Sequence, residues 1–288
     1  MPELAEAPQE TRKQESGGGP RYIKRFTLGQ RWLHAVLFTT FLGLAATGLP
    51  LRFSESIWAR AMASFVGGFG AILFVHKFCA IVLTGAFLVH VKDIFTRALV
   101  HREKGVFWGN TSMVANWKDV KDLFAHLRYF VGLGPKPQFE RYAYWEKFDY
   151  WAVFWGMLVI GFSGYAMWFA PFFAHFLPGW ALNAVLVIHS EEGLLAILFI
   201  FSIHFVNTHL RPGSFPMDMV IFTGVEREDE FRHKRPMEFA RVLRDGKLEA
   251  RLGEKPQTWQ LTFARVIGFT AIAIGLILLV LTLTAYFG

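Results

Sequence analysis

Residues 187–212 read VIHSEEGLLAILFIFSIHFVNTHLRP, a helix-length apolar run that nevertheless carries His189, Glu191, Glu192, His204 and His209. Ionisable groups are costly inside a bilayer and normally face a partner, a cofactor or a proton path, so five in one span mark a functional site. On a helix rising 1.5 Å per residue, the steps from His189 to His204 cover about 22 Å, and at about 100° per step the two rings return to within roughly 60° of one face. One helix would thereby offer an imidazole to each of two sites stacked across a membrane.

The rest of the chain suits that setting. Of 288 residues, 53% are hydrophobic and only 18% charged, a departure from soluble averages toward a membrane protein. Five segments reach the length of about 20 mostly apolar residues that a bilayer crossing requires: Trp32–Leu49, Phe69–Val91, Tyr150–Phe173, Ala181–Val206 and Leu261–Phe287. The formal net charge of +7 comes from 30 Lys and Arg, of which 6 lie in residues 1–31, 10 in 91–147 and 11 in 209–265. This split follows the positive-inside rule, predicts a cytoplasmic N-terminus and an external C-terminus, and argues against nucleic acid as the partner. Cys79 is the sole cysteine and lies in an apolar span. Iron–sulfur clusters, a covalent haem or a structural disulfide need more, so Cys79 reads as a small buried apolar residue and any such centre belongs to another polypeptide.

The expected fold is an all-α membrane protein, a bundle of five transmembrane helices with a four-helix core and one extra C-terminal helix. Residues 1–20 are too poor in apolar side chains to form a core and read as a disordered tail without a signal peptide. Residues 21–224 hold the four-helix domain. Pro50 is expected to end the first crossing, and Ile57, Trp58, Met62 and Phe65 a short surface helix after it. Trp117, Val120, Phe124, Leu127 and Val131 recur in steps of three and four, predicting a cytoplasmic amphipathic helix over about 114–131 on the inner leaflet or the bundle. Gly156, Gly161 and Gly164 permit close approach of a neighbouring helix or a flat macrocycle. The charged segment 225–260 reads as a solvated face with no assigned chemistry. Residues 261–288 form the last helix, which holds no histidine or carboxylate and serves for packing.

His76 lies about 10 Å below the outer edge of the second crossing and His90 about 21 Å further along it. His76 therefore shares a depth with His189, and His90 with His204. Imidazole pairs hold haem iron six-coordinate, which suits electron transfer, so two b-type haems, one near each face, are the expected cofactors. The inner level offers more ligands than one haem needs: His204 can pair with His90 or with His34, and His209 lies one turn below. A third haem on His34 and His209 is opposed by crowding, since His204 and His209 would sit only about 7.5 Å apart along the axis. Glu191 and Glu192 lie near the level of Lys77, and an ion pair is the first explanation for their burial.

Gln30-Arg31-Trp32-Leu33-His34, Thr47-Gly48 closing the first span, His76 opening the second, Tyr144-Trp145-Glu146-Lys147-Phe148-Asp149-Tyr150-Trp151 leading into the third, and His189 with His204 occur in that order. This set, covering about Arg25 to Gly224, resembles the di-haem cytochrome b subunits of formate dehydrogenase (gamma subunit), nickel–iron hydrogenase and thiosulfate reductase. The resemblance implies an outer haem on His76 and His189 and an inner one on His34 and His204. It further implies exchange of electrons between membrane quinone and an extracytoplasmic redox subunit, such as a multihaem cytochrome c or an iron–sulfur, molybdenum or nickel–iron enzyme. His90 departs from that pattern and, with His76, looks like the two-histidine helix of quinol:cytochrome c reductase cytochrome b, which keeps the inner ligand open.

Quinone couples two electrons to two protons, so His209, Arg211, Asp218, Glu146, Lys147 and Asp149 are candidates for quinone contact or proton exchange, set against a plain role as interfacial charges anchoring helix ends. The chain is then expected in lipid, in a bacterial inner membrane. A haem-free anchor for a soluble redox partner and a proton-coupled transporter are the competing classes; the latter predicts half-chain symmetry and broken helices.

Overall fold

The capping signals around Thr27 and the glycine pair after the first crossing set the start of the bundle. The structure, a computed structural model, describes residues 19–211 and 213–287. Residues 1–18 of the expected N-terminal tail lie outside the described residues. A strand β1 (Tyr22–Lys24) precedes α1 (Leu28–Arg52), whose start is fixed by a reciprocal cap: Thr27 Oγ1 accepts from Gln30 N–H at 3.3 Å and Gln30 Oε1 accepts from Thr27 N–H at 3.0 Å. The short α2 (Ile57–Val66) follows, and Gly67 and Gly68, at φ of 108° and 97°, turn the chain into α3 (Phe69–Phe95). After α4 (Trp117–Phe130), the third crossing runs through α5 (Tyr144–Gly156) and α6 (Phe162–Trp168), with one turn α7 (Ala170–Phe173) beyond it. The fourth starts as α8 (Gly179–Phe199). A single turn α9 (Val220–Thr223), strand β2 (Val225–Arg227), α10 (Glu228–Lys234), α11 (Pro236–Arg244) and strand β3 (Leu252–Gly253) lead to the last crossing, α12 (Thr258–Phe287).

The structure is thus mainly helical, and five stretches, 28–52, 69–100, 144–168, 179–210 and 258–287, are long and apolar enough to cross a membrane. Several boundaries differ from expectation. Pro50 does not end α1, which continues to Arg52 with Phe53 N–H closing on Leu49 O at 2.9 Å. Proline forfeits one donor there, in a last turn that is otherwise intact. The second and fourth crossings also run longer, because π turns extend them: Thr96–Val100 after α3, and Ile200–His204 and Val206–Leu210 after α8. A fourth π turn, Met157–Gly161, joins α5 to α6.

Helices approach closely where side chains are small. A Cβ on Gly43 of α1 would stand 2.7 Å from Cys79 Sγ of α3, so Cys79 fills a helix contact. The last helix packs against the fourth crossing in a cluster of Ala45, Leu49, Leu194, Ile197, Phe201, Phe205 and Leu278. A Cβ on Gly275 would meet Phe201 Cδ1 at 2.7 Å and Phe205 Cε2 at 2.9 Å. Gly275→Val is therefore expected to cost about 1–3 kcal/mol by overpacking, measured as lower thermal stability in detergent. Gly85→Ala, whose Cβ would meet nothing within 4 Å, should not lower it.

The amphipathic helix is α4, and it is attached by its polar side. Asp119 is buried and takes Lys147 Nζ of α5 at 2.8 Å, while Trp117, Phe124 and Phe130 are exposed. Its apolar row is thus free for lipid.

The charged run 225–260 is a solvated face only in part: Arg232, Arg244 and Lys247 are exposed, whereas Glu226, Arg235 and Glu238 are buried. Its strands β2 and β3 flank β1 in an antiparallel sheet ordered β2-β1-β3, with Ile23 opposite Glu226 and Leu252. Ile23, Phe231 and Phe239 form a small core under it. Beside that core Glu238, at 0% exposure, receives Arg25 Nη1 at 2.5 Å, Arg251 Nη1 at 2.8 Å and Arg141 Nη1 at 3.2 Å. Burial alone would raise the Glu238 pKa, but the three guanidinium groups overcome it and hold the carboxyl down at about 2. High charge density had suggested solvent contact; mutual pairing makes burial tolerable instead. These elements form a cap at the end of the bundle where α1 begins.

Candidate functional site

A cavity of about 2690 Å³ runs between α1, α3, α5 and α8, lined from Arg52, Lys77 and Trp168 at one end to Lys24 and Arg251 of the cap at the other. Small-molecule sites usually measure about 300–1,000 Å³, so this one has room for more than one large cofactor. All of His34, His76, His90, His189, His204 and His209 line it.

Near the end away from the cap, His76 of α3 faces His189 of α8 with ring centres 6.3 Å apart and ring planes at 75°. Hydrogen bonds assign the tautomer of each ring. The Thr47 hydroxyl spends its proton on Gly43 O at 2.6 Å, so at 2.9 Å from His76 Nδ1 it accepts the ring N–H. His189 Nδ1 lies 3.0 Å from the carbonyl of Ile160, which can only accept. Ile160 belongs to the π turn of the third crossing, and π turns disturb the regular backbone ladder. With Nδ1–H engaged on both rings, both Nε2 lone pairs are left for a Lewis acid. Two metal–imidazole bonds of about 2 Å, with about 1.2 Å from each nitrogen to its ring centre, separate an axial pair of rings by roughly 6 Å. The observed separation therefore fits a metal held between the two rings.

Glycines clear the space around both ligands. A Cβ on Gly164 would stand 2.9 Å from His189 Cε1, and one on Gly48 would stand 3.2 Å from His76 Cε1. Of the three glycines singled out in the third crossing, Gly164 alone has this role, since Gly156 meets only Ile160 and Gly161 meets nothing within 4 Å.

At the cap end, His204 Nδ1 lies 3.0 Å from Asp149 Oδ2 of α5, which again leaves Nε2 free. His34 in the second turn of α1 lies within charge-interaction range of His204 and His209. His90 is held elsewhere: its Nε2 lies 3.0 Å from Tyr150 OH, its ring packs on Phe154 at 6.0 Å, and the charges acting on it are Asp93 and Arg97 of its own crossing. The structure thus groups His34, His204 and His209 and sets His90 beside Tyr150. Each added residue of a π turn holds later side chains back by roughly 100°, so regular helical spacing does not fix the direction of His204 or His209.

The remaining candidates divide by their partners. Glu146 is tied to Arg235 at 2.5 Å and Lys147 to Asp119, so both hold the entry of α5 against the cap and α4. Arg211 stacks on Trp145 at 4.9 Å, Asp218 Oδ1 accepts from Val220 N–H at 2.8 Å, and His209 Nδ1 is buried without a partner among the described residues. Lys77 does not pair with the membrane glutamates. Its ammonium lies over Trp168 at 4.8 Å, Glu191 takes Arg52 at 2.7 Å, and Glu192 accepts from Trp155 Nε1 at 3.3 Å. The planar guanidinium of Arg52 presents a fork suited to a carboxylate. Thr47, Ser163 and Tyr150 are ring partners that the sequence does not announce as such, although Thr47 lies in the Thr47-Gly48 pair and Tyr150 in the stretch leading into the third span. No family model matches this chain, and no curated protein is similar to it at a significant level.

Proposed function

We propose that this chain is the membrane cytochrome b subunit of a respiratory oxidoreductase, moving electrons through two b-type haems between the quinone pool and an extracytoplasmic redox partner. The observation that carries this reading is the His76–His189 pair, with Nδ1 tied back on both rings and the ring centres 6.3 Å apart inside a cavity of about 2690 Å³. When bound, haem would supply a one-electron carrier at each level. His76 and His189 are the outer ligands, and His204 with His34 the inner ones. Thr47 and Ile160 hold the outer rings in place, and Gly48 and Gly164 keep the space beside them open. His209, Arg211 and Asp218 line the cap end of the same cavity, where a quinone head group would meet polar side chains able to exchange protons. The basic cap end faces the cytoplasm by the positive-inside rule, which puts the His76–His189 level nearer the external partner of a bacterial inner membrane.

The test is the protein expressed with ample haem supply. Its reduced-minus-oxidised spectrum should show b-type α-bands with two haems per chain, and a colourless product would overturn the reading. Single His34→Ala and His90→Ala variants then identify the inner ligand: His34→Ala should lower the haem content and His90→Ala should not.

A further inference from the structure

The ring partners at the two levels differ in charge. At the outer level both Nδ1–H groups meet neutral acceptors, the Thr47 hydroxyl and the Ile160 carbonyl. At the inner level His204 Nδ1 meets a carboxylate, Asp149 Oδ2, at 3.0 Å. Asp149 is set apart from its neighbours in the entry to α5, because Glu146 is engaged by Arg235 and Lys147 by Asp119. No Lys or Arg pairs with it among the described residues, and its Oδ1 is buried without a partner. Its side chain is largely enclosed, so solvent screens it little.

We infer that Asp149 is a positioning residue that makes the inner haem the weaker oxidant of the two. The inference rests on the reading of the chain as a di-haem cytochrome. A carboxylate behind a ligating imidazole fixes the tautomer and raises the basicity of the ligand nitrogen. A more basic ligand and an adjacent negative charge both favour ferric over ferrous iron, which carries one positive charge fewer. With haem bound, one electron shared between the two levels would be given up at the His204 level and gained at the His76–His189 level, with no proton moved. The chain would thus hold its electron near His76 and His189, on the side away from the cap.

The experiment is a redox titration of the full-length haem-loaded protein, followed by optical and electron paramagnetic resonance spectra. Asp149→Asn keeps an oxygen to accept from Nδ1–H and removes the charge. It should shift the oxidised-to-reduced ratio of one haem at least tenfold toward reduced at fixed potential, about 59 mV for a one-electron couple, with the other haem unmoved. The low-spin signal of the shifted haem alone should change. If Asn loses the inner haem, Asp149→Glu decides: an inner haem retained at the original potential supports the inference, and equal loss overturns it. Potentials that stay unchanged in Asp149→Asn, or that shift equally at both haems, overturn it while leaving the di-haem reading intact. A wild-type chain without haem removes both.

Discussion

His189→Ala should lower the haem content from two per chain to one, and His76→Ala should remove the same haem. The two rings come from different crossings and share no backbone, so their equivalence tests the geometry and not local folding. The surviving haem in each variant should have the same potential and spectrum. His189 also supports the third crossing through its bond to Ile160 at 3.0 Å, so alanine there leaves a carbonyl and a cavity behind it. Replacement of His76 strands only the Thr47 hydroxyl, which keeps its bond to Gly43. His189→Ala should accordingly be the less stable protein, although both lose one haem. Unchanged haem-to-protein ratios after either change would show that the pair does not hold a metal.

Glu238→Gln should open the cap. A buried ion network stripped of one partner loses about 3–5 kcal/mol, because the remaining charges stay desolvated. Here the amide would leave Arg25, Arg141 and Arg251 around a neutral group. Hydrogen exchange at the amides of Tyr22–Lys24 and Val225–Arg227 reads this directly, as roughly a hundredfold or greater loss of protection. The acid dependence has a definite sign. The carboxyl lies at about 2 in the folded cap against an ordinary 4.5, so its stabilisation is complete above pH 4.5 and disappears as pH falls through 2. That shift corresponds to about 3 kcal/mol. Burial pushes the neighbouring Glu226 carboxyl up against the pull of Arg25, Lys234 and Arg235, so Glu226 gains stability as pH falls toward its unfolded value. Comparing wild type with Glu238→Gln separates the two, since the variant should lack the loss between pH 4.5 and 2. Equal protection in both proteins would exclude the three arginines as the clasp of the cap.

The five crossings and the shared depth of His76 and His189 were legible because both follow from helical rise and hydropathy, which are local. Boundaries were less legible where the helix left regular geometry: four π turns have no composition signal, and two of them carry His204 and His209. The cap was illegible for a different reason. Arg25, Arg141, Glu238 and Arg251 look like solvated charges when taken one at a time, and become a core only after residues far apart in the chain converge. Asp149 reads from the sequence as a candidate for quinone contact or proton exchange, or as an interfacial charge, but its partner His204 is 55 positions away and the direction of that ring is set by a π turn.

The order of strands in the small sheet constrains how the molecule is made. Ile23 pairs with Leu252, which a ribosome adds 229 steps later (252 less 23), after the four long apolar helical stretches between them have already been made. Until then β1 has only β2 beside it, and Glu238 has yet to meet Arg251. Closure of the sheet is therefore a late act of assembly, with the last helix, Thr258–Phe287, still to follow.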